Sequence, residues 1–199
     1  TTTSVAAGDF SLLPHKEKMA NLKTIDLFVL SWAYQRSYKE SLIIKSLIFI
    51  GDGPFWMLVM LLSAVIGQTS GVFSFERLAI ALMFGLMISN FVFGPLKKNI
   101  HRKRPYADQD MQDVLNIKII NRDPGHGSKE LESFPSGHAL WTSLCVFIIC
   151  HEFGFVALLL IGWLIPAMMF LRVYLGVHYP SDVVAGFVIG VINACITII

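Results

Sequence analysis

Three short segments of the sequence carry the side chains that could perform chemistry. They cover residues 97–105, 135–138 and 172–182. The first and third supply lysines and arginines, and the second reads Pro-Ser-Gly-His at the predicted start of a helix, where free backbone amides can bind an anion. Forked arginine side chains favour a planar or tetrahedral oxyanion such as phosphate. His138 and His178 add a nucleophile and an acid, so these residue types together indicate phosphoryl transfer.

Each segment also has an ordinary structural interpretation. The cations of residues 97–104 suit a positive cap that reaches lipid headgroups. Ser136 suits the N-cap of a helix, and Asp182 suits the first turn of a helix that begins at Pro180. Asp182 also follows His178 by four residues, a spacing that lets a carboxylate reach the ring and fix its tautomer. Because ionisable residues in membrane segments are costly, their convergence on one face of a bundle favours a functional site.

The rest of the sequence is that of a membrane protein. Of its 199 residues, 54% are hydrophobic and only 15% are charged, whereas soluble domains average about 25% charged residues. Two long, nearly charge-free blocks have room for about five spans and leave none for a separate soluble domain. We therefore predict an all-α fold, a polytopic transmembrane helix bundle. Its five spans are predicted at residues 53–73, 75–96, 137–152, 155–171 and 180–199.

The predicted domain organisation has three parts. These are a flexible N-terminus at residues 1–15, an amphipathic interfacial segment of one or two helices at 16–50, and a transmembrane catalytic bundle at 51–199 with a polar loop at 97–134. A true span within residues 16–50 would raise the number of spans to six.

Packing features are also expected inside the bundle. Pro166 should kink the fourth span. Gly186 and Gly190 form a small-residue pair that should pack the fifth span against a helix of the same bundle. Folding the spans up and down then places all three chemical segments at one membrane face.

Charge and cysteine content exclude several classes of partner. A net charge of +2 is too small to indicate nucleic-acid binding. The three cysteines have no spacing typical of a disulfide scaffold or a zinc site. The expected partners are therefore membrane lipids, and the sequence does not indicate an oligomeric state.

The three segments together resemble the tripartite signature of the type 2 phosphatidic acid phosphatase superfamily. They read Lys97, six residues, Arg104-Pro105; then Pro135-Ser136-Gly137-His138; then Arg172, five residues, His178, three residues, Asp182. One position departs from the signature, since Leu171 stands where that family usually has serine before the arginine.

The resemblance implies hydrolysis through a phosphohistidine, without a metal or cofactor. His178 would be the nucleophile, Asp182 its orienting partner, and His138 the general acid and then the general base. The phosphate oxygens would be held by Lys97, Arg104, Ser136, the Gly137 amide and Arg172.

The leading functional hypothesis is therefore a phosphatase acting on the phosphate monoester of a lipid phosphate, such as a phosphatidic acid-like, phosphatidylglycerophosphate-like, sphingoid or prenyl phosphate. A lipid or polyprenyl diphosphatase, or a phosphotransferase, would use the same site. A non-catalytic anion-binding membrane protein would use the cations but would not need both His138 and His178. A vanadate-dependent peroxidase shares the family's site but has a soluble architecture. A divalent-metal hydrolase is disfavoured because three cations would lie beside the metal.

The distribution of basic residues predicts the orientation. Of the 16 lysines and arginines, all but Arg77 fall on the active-site face in the five-span arrangement. The positive-inside rule then places the active site at the cytoplasmic face of an integral multi-pass protein, in a bacterial inner membrane or a eukaryotic endomembrane.

Overall fold

The described part of the protein is built from helices. The computed structural model describes residues 15–123 and 131–198, with side chains from residue 23 onward. These residues form eight α-helices: α1 His15–Tyr34, α2 Leu42–Gly51, α3 Gly53–Ser70, α4 Phe73–Asn99, α5 Gln109–Leu115, α6 Gly137–Ile161, α7 Leu164–Tyr174 and α8 Pro180–Ile198. The predicted all-α class is confirmed. Apart from the backbone of His15, the predicted flexible N-terminus at residues 1–15 lies outside the described residues.

Four of the helices are long and apolar enough to cross a membrane. They are α3, α4, α6 and α8, which correspond to the first, second, third and fifth predicted spans. In a bilayer the backbone must satisfy its own hydrogen bonds, and a continuous helix does so along its whole length.

The fourth predicted span, residues 155–171, is not a single helix. α6 continues past residue 152 through a kink at Gly154, which has a φ of 69° that suits glycine, and ends at Ile161. The chain then turns at Gly162 and Trp163 before α7 begins. The 11 residues of α7 rise only about 16 Å, roughly half the hydrocarbon thickness of a bilayer. Of the five predicted spans, four therefore correspond to single helices in the described residues, and the fourth predicted span does not.

The kink predicted at Pro166 is also wrong. Pro166 is the third residue of α7. In the first turn of a helix the backbone N–H groups have no helical acceptor, so the missing N–H of proline costs nothing there. The break in this part of the chain lies before the proline, at Gly162 and Trp163.

α6 is the central helix of the bundle. It packs against α4, α7 and α8 and buries Leu140 and Ile148. α8 approaches α6 closely at Gly186 and Gly190, where an added methyl group would collide with the backbone oxygens of Ser136 and Leu140. The packing predicted for these glycines within the bundle is confirmed. It also places the start of α8 beside the start of α6, which brings two of the chemical segments together.

The segment before the first span forms two helices. α1 packs against α7 and α8 and buries Leu30 and Ala33, while Phe28 and Trp32 remain exposed on its outer side. Ser41 caps α2 by accepting a hydrogen bond from the amide of Ile44. Among the described helices, neither α1 nor α2 meets the length and hydropathy of a span. The interfacial position of residues 16–50 stays a prediction.

The polar loop predicted at residues 97–134 is ordered where it is described. It contains a 3₁₀-helix at Pro105–Ala107 and the short helix α5, which the sequence analysis did not predict. The buried amide side chain of Gln112 donates to the carbonyl of Pro105 and accepts from the amide of Ile119. The loop is thereby fixed as a layer at the end of the bundle where the chemical segments lie.

Candidate active site

A small cavity lies where the three chemical segments meet. Its volume is about 70 Å³, a space suited to one phosphate-sized group. Its wall is formed by Phe93, Lys97, Arg104, Gly137, His138, Trp141, Arg172 and His178. Six of the eight predicted site residues therefore share one cavity, and the other two, Ser136 and Asp182, lie outside its wall.

Each segment reaches the cavity from the end of a helix. Lys97 lies in the last turn of α4, His138 in the first turn of α6 and Arg172 in the last turn of α7. Gly176 has a φ of 72°, and a side chain there would collide with Ile119. A glycine at this position therefore lets the chain reverse between Arg172 and His178.

Three cations give the cavity a positive character. Arg104 is 2% exposed, and its Nε donates to the carbonyl oxygen of Glu132 over 3.2 Å. The Nζ of Lys97 lies 5.1 Å from the centre of the Phe93 ring, a cation–π arrangement. Buried cations at a helix N-terminus select an anion.

Arg172 is held by a carboxylate that the sequence analysis did not identify. Its Nη1 lies 2.8 Å from Oδ2 of Asp123, and the two side chains are 1% and 0% exposed. Within the described part of the chain, the buried Nε of Arg172 has no hydrogen-bond partner. Asp123 thus fixes one side of the guanidinium, and Nε is a donor left for the predicted phosphate contact.

His178 is held in one tautomer. Its Nδ1 lies 2.7 Å from the carbonyl oxygen of Ser133. Because a carbonyl can only accept, Nδ1 carries the proton and Nε2 keeps its lone pair. Burial, and after it the cations around the cavity, hold the pKa of His178 well below its ordinary value. This lowered pKa favours the neutral imidazole, the form that the predicted nucleophile requires.

Asp182 is not placed as predicted. Its Oδ2 lies 3.9 Å from Nδ1 of His178 and accepts instead from the backbone amide of Tyr179. Tyr179 directly precedes α8, so Asp182 closes the helix start in the manner of a capping box. His178 donates to the carbonyl of Ser133 rather than to Asp182, so the direct hydrogen bond expected between His178 and Asp182 is not formed.

Asp182 belongs instead to a cluster that joins three parts of the chain. Nη1 of Arg102 lies 2.7 Å from Oδ1 of Asp182, and its Nη2 lies 2.7 Å from Oδ2 of Asp26 in α1. Asp26 also accepts from the amide and hydroxyl of Ser181. We call Asp26, Arg102, Ser181 and Asp182 the interhelix cluster. It ties α1 to the start of α8, directly behind His178.

Ser136 and Gly137 form the start of α6. The hydroxyl of Ser136 accepts from the amide of Ala139 over 3.5 Å, which confirms the predicted N-cap. Phe93 and Trp141 lie within 3.4 Å of the position that a Cβ on Gly137 would occupy. Only glycine leaves the cavity open at this helix N-terminus, where the Gly137 amide is predicted to meet phosphate.

His138 has an acidic neighbour. Its Nε2 lies 3.1 Å from Oδ1 of Asp52, which occupies the junction between α2 and α3. One feature of the sequence could have indicated Asp52 as a site residue: it is a carboxylate between two glycines, just before a predicted span. Asp123 and Ser133 gave no such signal, because nothing near them in the sequence marks their partners.

The described residues contain no group of three or more His, Cys, Asp or Glu side chains arranged to hold a metal ion. The acids near the cavity are engaged with basic side chains, Asp52 with His138 and Asp123 with Arg172.

Comparisons with known proteins find phosphatases among the similar sequences. Lipid A 1-phosphatase from Rhizobium johnstonii is 32% identical over 114 residues, which cover 55% of this chain and 42% of that protein. Decaprenylphosphoryl-5-phosphoribose phosphatase from Mycolicibacterium smegmatis is 41% identical over 111 residues, which cover 56% and 53%. The chain thus spans about half the length of these relatives.

The fold has been seen before in a membrane enzyme. The crystal structure of a transmembrane PAP2-type phosphatidylglycerolphosphate phosphatase from Bacillus subtilis superposes with a TM-score of 0.64 at 17% identity, over 94% of this chain and 90% of that one. The sequence profile of the PAP2 superfamily matches residues 78–199, a stretch that holds all three chemical segments. As its motifs predicted, the chain belongs to the PAP2 superfamily.

Proposed function

We propose that this chain is a membrane phosphatase that hydrolyses the phosphate monoester of a lipid phosphate. The observation that carries the proposal is the buried His178, whose Nδ1 donates to the Ser133 carbonyl and whose Nε2 keeps its lone pair, in the wall of a cavity that also holds three cations. A site that only bound anions would gain nothing from an unprotonated imidazole among those cations. The names of the two relatives support a substrate carried on a lipid.

In the first proposed step, Nε2 of His178 attacks the phosphorus atom and the bond between phosphorus and the lipid oxygen breaks. His138 donates a proton to that oxygen, so the lipid leaves as an alcohol. Lys97, Arg104 and Arg172 hold the phosphoryl oxygens and stabilise the charge of the transition state. The product of this step is a phosphohistidine at His178.

In the second proposed step, water attacks the phosphohistidine. His138 is now neutral and takes the proton of the water, while the bond between nitrogen and phosphorus breaks. Inorganic phosphate leaves and both histidines return to their starting protonation states. Neither step calls on a metal ion, because the cations of the chain supply the charge that a metal would supply.

The same site suits a lipid diphosphatase or phosphotransferase. A cavity of about 70 Å³ encloses the phosphoryl group under attack, whereas the leaving group lies outside it. The identity of the leaving group, a lipid alcohol or a lipid phosphate, is therefore set by other parts of the chain.

The test is an assay of phosphate release by the purified protein in detergent and excess chelator. The substrates are phosphatidic acid, phosphatidylglycerophosphate, a sphingoid phosphate, and a prenyl monophosphate with its diphosphate. We expect hydrolysis of at least one monophosphate, none with His178→Ala, and acid-labile phosphate trapped on His178 in the wild type. Phosphate trapped on another residue, or full activity of His178→Ala, contradicts the mechanism. Exclusive turnover of the diphosphate supports the diphosphatase instead.

We also propose that the active site faces the cytoplasm, on the basis of the positive-inside rule. The test uses single cysteines in a background without Cys145, Cys150 and Cys195. Val114 lies in α5 at the active-site end and Ser70 at the far end of α3, and both are exposed. In intact cells, a membrane-impermeant thiol reagent should label Ser70→Cys and spare Val114→Cys. The reverse pattern places the active site on the outer face.

A further inference from the structure

Asp52 lies at the junction between α2 and α3, where the helices themselves do not require an acidic side chain. It is the single residue between α2 and α3, with φ of −79° and ψ of 144°. Aspartate is a favoured N-cap because its carboxylate can accept from the free amides of the helix start. The side chain of Asp52 makes no such hydrogen bond with α3. It is directed at the His138 ring, with Oδ1 3.1 Å from Nε2.

Close backbone packing brings this carboxylate to the ring. A Cβ on Gly51 would lie 2.5 Å from Cδ2 of His138 and 2.7 Å from Cε of Met168. The end of α2 therefore rests directly on the edge of the imidazole, and any larger residue at position 51 would push the two apart. His138 is 3% exposed, whereas the side chain of Asp52 is 31% exposed.

The charges around His138 indicate what the contact with Asp52 does. Lys97 from α4, Arg104 from the loop, and Arg172 from α7 line the same cavity, as does His178 before α8. The positive charges of the lysine and the two arginines disfavour a protonated imidazole. A general acid must nevertheless carry a proton when the leaving oxygen needs it. Asp123 is paired with Arg172 and Asp182 with Arg102, so Asp52 is the carboxylate placed to support the His138 imidazolium.

We propose that Asp52 is the positioning residue of His138. Its carboxylate, 3.1 Å from Nε2, pairs with the protonated ring, fixes the orientation of the ring and stabilises the imidazolium. Nδ1 is then the nitrogen that gives its proton to the leaving oxygen and later takes one from water. The role parallels that of a triad carboxylate, which orients and supports a histidine without itself being protonated. This inference rests on the proposed function, in which His138 is the general acid.

The test exploits the leaving group. An alkoxide needs a proton to leave, whereas a nitrophenolate is stable without one. Asp52→Asn should lower kcat by about 10- to 100-fold on a lipid alkyl phosphate, part of the roughly 10²- to 10⁴-fold that general acid–base catalysis provides. On a nitrophenyl phosphate the loss should be under about threefold, because the acid is then hardly needed. KM should stay within about twofold on both, since the cations that bind phosphate are untouched.

The pH profile gives a second measurement. Among the described residues of the cavity wall, the charges beside His138 are those of Lys97, Arg104 and Arg172, so the imidazolium is less stable without Asp52. The alkaline limb of the kcat profile on the alkyl phosphate should move to lower pH in Asp52→Asn and return towards the wild type in Asp52→Glu.

Glu152→Gln is the matched control. It also converts a carboxylate to an amide, but Glu152 pairs with Arg77 away from the cavity. It should leave both rates and the pH profile unchanged.

Gly51→Ala provides an independent variant, since it displaces the same contact without changing a charge. It should show the same dependence on leaving group. Equal losses on both substrates, or wild-type rates in Asp52→Asn on the alkyl phosphate, overturn the assignment of Asp52. Failure of the proposed function is separate, because it appears as activity retained by His178→Ala.

Discussion

The buried pair of Asp123 and Arg172 allows a quantitative test of how the site is held together. The two side chains are 0% and 1% exposed and 2.8 Å apart. Removing one partner leaves the other charge buried without compensation, which costs about 3–5 kcal/mol. Asp123→Ala should lower the free energy of unfolding by that amount, a large share of the ~5–15 kcal/mol that holds a typical domain together.

A double-mutant cycle isolates the pair. Arg172→Met alone should also be strongly destabilising, because it leaves Asp123 buried and unpaired. The double variant Asp123→Ala/Arg172→Met removes both charges, so its cost should be smaller than the sum of the two single costs by about 1–3 kcal/mol. The assay is unfolding of the purified protein in detergent, followed by tryptophan fluorescence.

An exposed ion pair provides the control. Nη2 of Arg77 lies 2.6 Å from Oε1 of Glu152, but the Arg77 side chain is 66% exposed. Glu152→Gln should therefore cost less than about 1 kcal/mol. The reasoning is refuted if Asp123→Ala costs no more than this control, or if the two single costs simply add in the double variant.

Three further predictions concern catalysis and pH. His178→Ala should abolish turnover, whereas orthophosphate should still raise its melting temperature. His138→Ala should lower kcat by about 10²- to 10⁴-fold. A turnover assay tests both variants, and melting curves with and without orthophosphate test binding by His178→Ala. Arg104→Lys and Arg172→Lys should both have low activity, because an ammonium cannot make the forked contacts of a guanidinium. Lys98→Ala, which changes a residue outside the cavity wall, should keep normal activity. Near-normal rates in both Lys variants would mean that only diffuse positive charge matters. Since folding lowers the pKa of His178 from its ordinary value of 6.5, the unfolded chain binds more protons below that pH, so stability should be full above it and fall on acidification. Melting temperatures measured from about pH 7.5 to 5 should therefore fall more steeply in the wild type than in His178→Asn, and equal slopes would contradict the assignment.

The chemical core of the site was predictable because it is encoded locally. Helix ends carry the signals: Ser136 as an N-cap, Pro180 as a first helical residue, and cations in the last turns of α4 and α7. Spacing along the chain then fixed which side chains could meet. These features depend on a few neighbouring residues, so a single sequence contains them.

The supporting carboxylates were not predictable. Asp52 and Asp123 reach His138 and Arg172 across 86 and 49 residues of chain, and only the folded bundle brings them together. Asp182 shows the converse. Its spacing from His178 allowed a direct hydrogen bond. In the folded protein its carboxylate instead accepts from the Tyr179 amide at the start of α8 and from Arg102.

Hydropathy also has a limit that the fourth span illustrates. An apolar stretch reports that residues avoid water, but it does not report that the helix is continuous. Gly154 and the turn at Gly162 and Trp163 interrupt residues 155–171 while the stretch stays apolar. Backbone conformation, rather than composition, decides where α6 ends.

The interhelix cluster has a consequence for the order in which the parts of the protein come together. Asp26 and Ser181 are 155 residues apart in the chain. A ribosome adds about 5–20 residues per second, so α1 is synthesised roughly 8–30 seconds before its partner in α8. Until then, Arg102 has only one of its two carboxylates and His178 has not been synthesised. The candidate site is thus completed late in translation, well after the cations of residues 97–104 have been synthesised.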